Sequence, residues 1–592
     1  MRLSAADVRF RPGGRREATL ARTWRARLRS WAAGVGPAIV AGLVLGLLAL
    51  GPALRRGFLL SYDMVIVPRQ PFTAAMAGLT GGPPRAVPSD AVVAAAARVL
   101  PADIVQKLVL LSIFVLACSG AAALLDGQPW FARLAAGVFY TWNPFVAERL
   151  IIGQWALLLG YAGLPWALRA VTTYPVASWR GAGRLALALL PAAIGGFAAM
   201  TVSALVVLPA AVLARQDPLI SPGTGLASAQ QVPGRRPRAG ESLAGGQRVR
   251  NAAAALGVLI LLSLPWLIPS LLRSMYADPA GVAAFAGRAD TPFGAFCSLV
   301  MLGGVWNAQT VPAGYGGWWS VLWLVFVIAA AVGYLVFAAR QRRWPGLGFA
   351  ALAGLAIASA GITAPGQDLL RAMTGLWPGF AVLRDGQQFV APLALAEALG
   401  AGLLVAWAAR PRANAATDGR PRADRPGLII AVAAVLAPVL LLPGLAWGAA
   451  GRLRPVWYPA AWLSAAATID GSRAPGEVLL LPWAAYRRPA WNGGRAMLDP
   501  WPRLVSRQVI WNDGSQVGHT DLQPDDPAAR RLAGVIRARG PLTRALAAAG
   551  VRFVIVDSGS AAGRLPGCTV VATGPGLAVY QVPAGRGNAG TS

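Results

Sequence analysis

Apolar residues run in long stretches from position 34 to position 448, broken by short clusters rich in arginine, proline and glycine. Several stretches reach the roughly 20 residues a helix needs to cross the hydrocarbon core. The pattern predicts spans at 34–54, 105–125, 130–145, 154–172, 252–273, 318–338, 346–363, 391–409 and 427–448. The run Leu185 to Leu213 carries Gly195 and Gly196 near its middle, with Pro191 and Pro209 on either side. These breakers predict two short helices turning near Phe197, for about eleven transmembrane passes in all.

Beyond Gly451 the grammar changes. "EVLLLPW" reads as a buried strand, "PLTRALAAAGVRFVIVD" as a helix stopped at Gly550 and a second strand, and "GLAVYQVP" as a third. The expected fold is an α-helical polytopic membrane protein with a small C-terminal extracytoplasmic α/β domain. Its parts are a basic cytoplasmic N-terminus (1–30), a multi-helix transmembrane domain (31–450) and an extracytoplasmic domain (451–592) ending in a disordered tail. Within the transmembrane domain lie a long outer loop (55–104) and two Pro-, Gly- and Arg-rich cytoplasmic loops expected to be disordered (214–250 and 410–426).

Composition supports the membrane reading: 56% of the 592 residues are hydrophobic and only 13% charged, against about a quarter charged in soluble chains. The net charge of +30 would suggest nucleic acid in a soluble protein. Here the arginines gather in a few loops, as cytoplasmic loops do under the positive-inside rule, so the charge reports topology and no nucleic-acid partner is expected. The same rule places the N-terminus in the cytoplasm and the C-terminal domain outside; the expected location is the plasma membrane. The run after Ser30 is too long for a signal-peptide core, so an uncleaved first helix is expected. Of the three cysteines, Cys118 belongs in the core, while a bond between Cys297 and Cys568 stays open. Phosphate-loop, zinc, serine-elbow and dinucleotide signatures are missing from the sequence.

Charges in apolar company carry the candidate chemistry. In the first outer loop, "SDAVVAAAARVL" (89–100) predicts a short amphipathic interface helix, with Asp90 and Asp103 in first-turn positions suited to capping. Asp63, in "FLLSYDMVIVPRQPF", follows the first span by a few residues. It reads either as a surface ion pair with Arg55, Arg56 or Arg69, or as a general base whose pKa is raised at the rim of an apolar pocket. In "FYTWNPFVAERLIIGQW", a turn at Asn143-Pro144 precedes Glu148 and Arg149 at membrane level. They are either a turn-holding salt bridge or functional. "WPGFAVLRDGQQFVAPLALA" crowds Arg384, Asp385, Gln387 and Gln388 before a late span; Arg384 suits a phosphate, and a polar loop is the plainer reading. Glu397, deeper in that span, either lines a cavity or pairs internally. The tryptophans Trp318 and Trp319 fit an interfacial belt. Trp483, Tyr486, Trp491 and Trp511 either stack on sugars or pack the tail onto the membrane, and the lone His519 is assigned no role.

Three of these features, Asp63 in "SYDM", the "WNPFVAERLIIGQ" turn and "LRDGQQF", together with the layout, resemble GT-C glycosyltransferases of the actinobacterial cell envelope, which include arabinofuranosyl- and mannosyltransferases. The resemblance covers most of the chain as architecture. It implies an enzyme that moves a sugar from a polyprenyl-phosphate donor to an extracytoplasmic glycan or lipid acceptor of the envelope, at the surface of the lipid bilayer. It implies Asp63 as catalytic base, with Arg69, Lys107, Glu148, Arg149, Arg384 and Gln387 on the substrate, and inversion at the anomeric carbon. Relatives often carry two adjacent acids in this loop that serve a metal. Met64 follows Asp63 here, so no cofactor is assigned and a divalent metal is left open. A flippase or transporter of an envelope precursor, or a non-catalytic glycan-binding scaffold, would share the buried charges.

Overall fold

The computed structural model describes residues 35–213, 240–273, 276–339, 343–410, 425–518, 520–557 and 562–584. His519, the basic stretches 1–30, 214–239 and 411–424, and the C-terminal tail from residue 585 lie outside the described residues.

Five described helices are long and apolar enough to cross a membrane: Val35–Leu54, Ala102–Leu124, Gly245–Leu272, Trp319–Ala338 and Gly386–Ala408. Two bent pairs, Pro345–Ala360 with Ala364–Leu376 and Ile429–Leu441 with Pro443–Gly451, bring the number to seven. The larger number of passes expected from the sequence also needs Trp130–Thr141, Trp155–Thr173, Trp179–Gly195 and Phe197–Leu213, which are shorter or carry an internal proline. The last two meet at Gly196, whose φ of 78° breaks the helix where the glycine pair foretold it. Gly386–Ala408 runs through the centre and is almost wholly buried. Gly245–Leu272 and Trp319–Ala338 instead turn Leu261, Leu271, Val325 and Leu335 outward, as helices facing lipid do. This arrangement is that of a multi-pass membrane protein.

The helix that follows Phe197–Leu213 in the chain begins earlier than the sequence suggested. Residues 240–250, expected in a disordered connector, are the first turns of Gly240–Leu272. Asn251, whose side-chain oxygen accepts from the Ala177 N–H at 3.0 Å, fastens this end to the loop before Trp179–Gly195.

The C-terminal sheet runs Thr569–Gly574, Leu577–Gln581, Val551–Asp557, Glu477–Leu481, Val509–Ile510 in spatial order. Glu477–Leu481 pairs in parallel with both neighbours, and the other two ladders are antiparallel. The central strands are continuous apolar runs because both faces are covered. Leu479, Leu481, Val554 and Val556 pack with Leu532, Ile536 and Leu546 of two helices on one face. Val478, Leu480, Phe553 and Ile555 face the other way, into one hydrophobic core continuous with the membrane helices. The sheet region is therefore packed onto the helices through a shared core.

The first loop is the seam. Phe58–Leu59 pairs antiparallel with Pro455–Val456, Tyr62 bridges to Met497, and the Tyr458 hydroxyl donates to the Ile66 carbonyl at 3.1 Å. The apolar piece Met64 to Val67 is buried core. The helix expected at the interface is shorter, Ser89–Ala96; Val93 turns inward, and Val99, beyond its end, is 84% exposed. Neither first-turn acid caps its helix by a side-chain hydrogen bond. Asp90 instead accepts from Arg503 of the sheet region at 2.8 Å. Asp103 accepts from Arg56 at 2.6 Å and from the Gly57 N–H at 3.0 Å. Both acids tie distant elements together. All three cysteines are free, so Cys297 and Cys568 do not pair.

Candidate active site

The turn that carries Asp63 is held from three sides. Its own N–H donates to the Ile152 carbonyl at 3.0 Å, and the Ser61 hydroxyl donates to the Ile151 carbonyl at 2.6 Å. Gly153, at φ 85°, lets this close approach happen, because a Cβ there would overlap the Ser61 carbonyl and the Met64 N–H. Tyr62 sits at φ 43°, a left-handed conformation that costs a non-glycine residue about 1–2 kcal/mol. The sheet region holds it there: the Tyr62 N–H donates to Ala496 at 2.8 Å, and its carbonyl accepts from Leu498 at 2.7 Å.

The segment supporting this turn is a short helix, Pro144–Ile151, rather than a simple loop break. Asn143 is its N-cap, accepting from the Val146 N–H at 3.0 Å while its amide donates to Phe139, Tyr140 and Tyr161. Proline at the first helical position needs no hydrogen-bond partner for its nitrogen. The "NP" signal therefore marks a helix start.

Asp63 is half-buried and accepts a hydrogen bond from the Tyr486 hydroxyl at 2.6 Å, 423 positions away in the sheet region. Burial pushes its carboxyl above the ordinary 3.8; the Tyr486 hydrogen bond and the Arg85 charge oppose that rise, and Asp385 adds to it. The Gln154 amide also favours the charged form. Gln154 in turn accepts from Arg149 at 2.7 Å. Arg149, 1% exposed, reaches Asp385 at 3.3 Å and the Gln387 amide oxygen at 3.2 Å. Gln387 donates to the Phe285 carbonyl at 3.0 Å, and Arg384 lies over the Phe285 ring at 4.7 Å. Burial, and secondarily the Arg85 charge, push the Arg384 guanidinium down to about 10. It has no salt-bridge partner among the described residues. Arg85 is held by Asp525 of the sheet region, with Asp513 beside it.

Asp63, Arg149, Gln387 and Arg384 thus belong to one linked cluster. The other sequence candidates do not join it. Asp63 makes no ion pair with Arg55, Arg56 or Arg69, so the surface-pair reading fails. Arg69 is exposed, with neither hydrogen bond nor ion pair among the described residues. The Lys107 ammonium is committed to the Gly57 carbonyl and the Gln106 side chain, beside Asp103. Glu148 points away from Arg149's partners, toward Gly303, Tyr315 and Asp290, with one oxygen unpaired. A helix residue's neighbour in sequence faces a different direction, which separates Glu148 from Arg149. Glu397 is buried, and among the described residues neither of its oxygens has a hydrogen-bond or ion-pair partner.

Sequence reasoning missed Arg85, Gln154 and Asp385 as site members, and read Tyr486 as stacking or packing. Arg85 in "GGPPRAVP" and Tyr486 in "PWAAYRRPAWNGG" look like ordinary loop residues. Only the seam between loop and sheet brings them to Asp63. Trp491 packs against Tyr458 and Trp462 in the core. Tyr62, Trp483 and Tyr486 line a cavity of about 950 Å³ against the sheet region.

The donor set does not suit a resident metal. Among the described residues no three His, Cys, Asp or Glu side chains gather to hold one, and the acid that acts on Asp63, Asp385, is engaged by Arg149. What the cluster offers is one half-open carboxylate that faces the Arg85 charge and is joined through Gln154 and Asp385 to Arg149.

The backbone is similar to the arabinofuranosyltransferase AftD from Mycobacteria, with TM-score 0.55 and 15% identity over 93% of this chain and 40% of that one. A second structure, of an AftD point variant, gives TM-score 0.52 and 16% identity over 93% of this chain and 42% of that one. The chain spans about two fifths of the length of these proteins. At such identity the likeness is one of fold alone, and it agrees with the polytopic helical architecture expected from the sequence. No protein-family model and no curated protein matches the sequence.

Proposed function

We propose that this chain is a membrane-embedded glycosyltransferase of the cell envelope, moving a sugar from a polyprenyl-phosphate donor to a glycan or lipid acceptor on the extracytoplasmic side. The observation that carries this reading is the half-open Asp63 carboxylate, bonded to Tyr486, facing the Arg85 charge and joined through Gln154 to Arg149, on a fold similar to that of an arabinofuranosyltransferase. In that orientation the basic stretches 1–30, 214–250 and 410–426 face the cytoplasm, and the sheet region faces outward.

Asp63 accepts the proton of an acceptor hydroxyl as its oxygen attacks the anomeric carbon. The bond from that carbon to the donor phosphate breaks, and the lipid phosphate leaves with the electron pair. Guanidinium groups placed in a site of low dielectric stabilise the charge that develops there. Arg384 suits this role, since no carboxylate is paired with it among the described residues. Arg149 is the anchor that fixes Gln154, Asp385 and Gln387. A single displacement inverts the anomeric centre. Arg69, Lys107 and Glu148 have no part in this step.

The test is purified protein in liposomes with labelled polyprenyl-phosphate sugars and an envelope glycan extract. Label appearing in a new glycosidic bond supports the reading. Label that crosses the bilayer on its lipid without forming a bond identifies a flippase instead, and binding without either identifies a scaffold.

A further inference from the structure

The cavity beside Tyr486 has a chemistry that the transfer step does not use. Its volume, about 950 Å³, is at the upper end of the roughly 300–1,000 Å³ of ligand pockets. Four arginines line it, Arg488, Arg537, Arg539 and Arg564, against a single acid, Asp521. None of the four is ion-paired among the described residues. Arg488 donates to the Gln309 amide oxygen at 2.9 Å, and Arg564 to the carbonyls of Ile536 and Gly540. Arg537 and Arg539 are exposed and have no hydrogen-bond partner among the described residues. Arg537 ends the helix Pro527–Arg537, and Arg539 follows at φ 56°, a conformation uncommon for a non-glycine residue.

The other walls mix aromatic, amide and aliphatic side chains, among them Trp306, Trp483, Gln309, Asn512, Leu481 and Val556. No lining residue comes from a candidate membrane span, so the cavity lies apart from the helices against which a lipid tail would be held. Aromatic faces with a few polar groups suit a sugar ring, and unpaired guanidinium forks suit phosphate or carboxylate.

We infer that this cavity is the acceptor site, and that the acceptor is an anionic glycan, one whose sugars carry phosphate or carboxylate groups. The inference rests on the transferase reading and names the substrate class for the same site. The glycan lies along the sheet region with its charged groups on Arg537 and Arg539. Its reacting hydroxyl enters at Tyr486, whose own hydroxyl meets Asp63.

The experiment measures binding, without transfer, to the full chain in lipid nanodiscs. The probes are a phosphorylated mannotetraose, a tetragalacturonate and neutral mannotetraose. At least one anionic probe is expected to bind about tenfold tighter than the neutral one, with an affinity that falls as salt rises; which of the two does so separates phosphate from carboxylate. The double variant Arg537→Gln/Arg539→Gln should bring the anionic probe to within about twofold of the neutral one, with thermal unfolding unchanged. Arg531→Gln, on the same helix but outside the cavity lining, should keep the preference. Equal binding of all three probes overturns the inference, as does a preference that survives the double variant or is lost equally with Arg531→Gln. A protein that transfers sugar without any charge preference sinks this inference alone. One that binds anionic glycan but never transfers sugar sinks the transferase reading instead.

Discussion

Two aspartates border the first loop, and the structure treats them in opposite ways. Asp103 is closed. Both its oxygens accept from Arg56, one also accepts from the Gly57 N–H, and Lys107 beside it is spent on the Gly57 carbonyl. Asp63 is half open, with Tyr486 on one oxygen and the Arg85 charge nearby, that arginine being paired with Asp525. Residue type is the same; the saturation of lone pairs differs. A carboxylate whose acceptor sites are filled by fixed donors holds the chain together. One that keeps an accessible side can take a proton.

That contrast can be broken at either end. Asp63→Asn keeps the shape and an acceptor for Tyr486, so folding should persist while sugar transfer falls about 10²–10⁴-fold in a single-turnover assay. Retained transfer would erase the distinction between the two acids. Arg149→Lys keeps the charge but loses the fork that joins Gln154, Asp385 and Gln387. Transfer should fall about 10²-fold. Asp103→Asn is the converse test, expected to cost about 2 kcal/mol in thermal unfolding while the folded fraction transfers sugar at nearly the normal rate. Smallest is Arg69→Ala, an exposed site where stability should stay within about 0.5 kcal/mol and transfer should not change.

The parts of this site that were legible in the sequence are those where a charge interrupts an apolar run. Asp63, Arg149, Arg384 and Gln387 each stand out because ionisable or amide groups beside lipid need a reason to be there. The same logic also singled out Lys107 and Glu148, which lie outside the cluster: one ties down the Gly57 carbonyl, the other turns toward Asp290. The strands Glu477–Leu481, Val551–Asp557 and Leu577–Gln581 were visible because their apolar runs and flanking glycines act locally. Tyr486 and Arg85 were invisible as site residues because nothing local marks them. Their role comes from the pairing of Phe58–Leu59 with Pro455–Val456 and of Tyr62 with Met497, contacts between positions some 400 residues apart. Proline-broken helices such as Trp155–Thr173 gave an apolar signal without settling whether each crosses.

The central claim is that Asp63 and the hydroxyl of Tyr486 form one proton-accepting unit, and its most direct test is the pH dependence of transfer. Burial raises the Asp63 pKa, and the Tyr486 hydrogen bond restrains that rise by favouring the charged form. Transfer by the wild-type protein should therefore fall on acidification with a midpoint above the ordinary aspartate value of 3.8. In Tyr486→Phe the restraint is gone, so the carboxylate stays protonated to higher pH and the midpoint should move upward. An acidic limb at the same pH in both proteins would mean that the two groups do not act together.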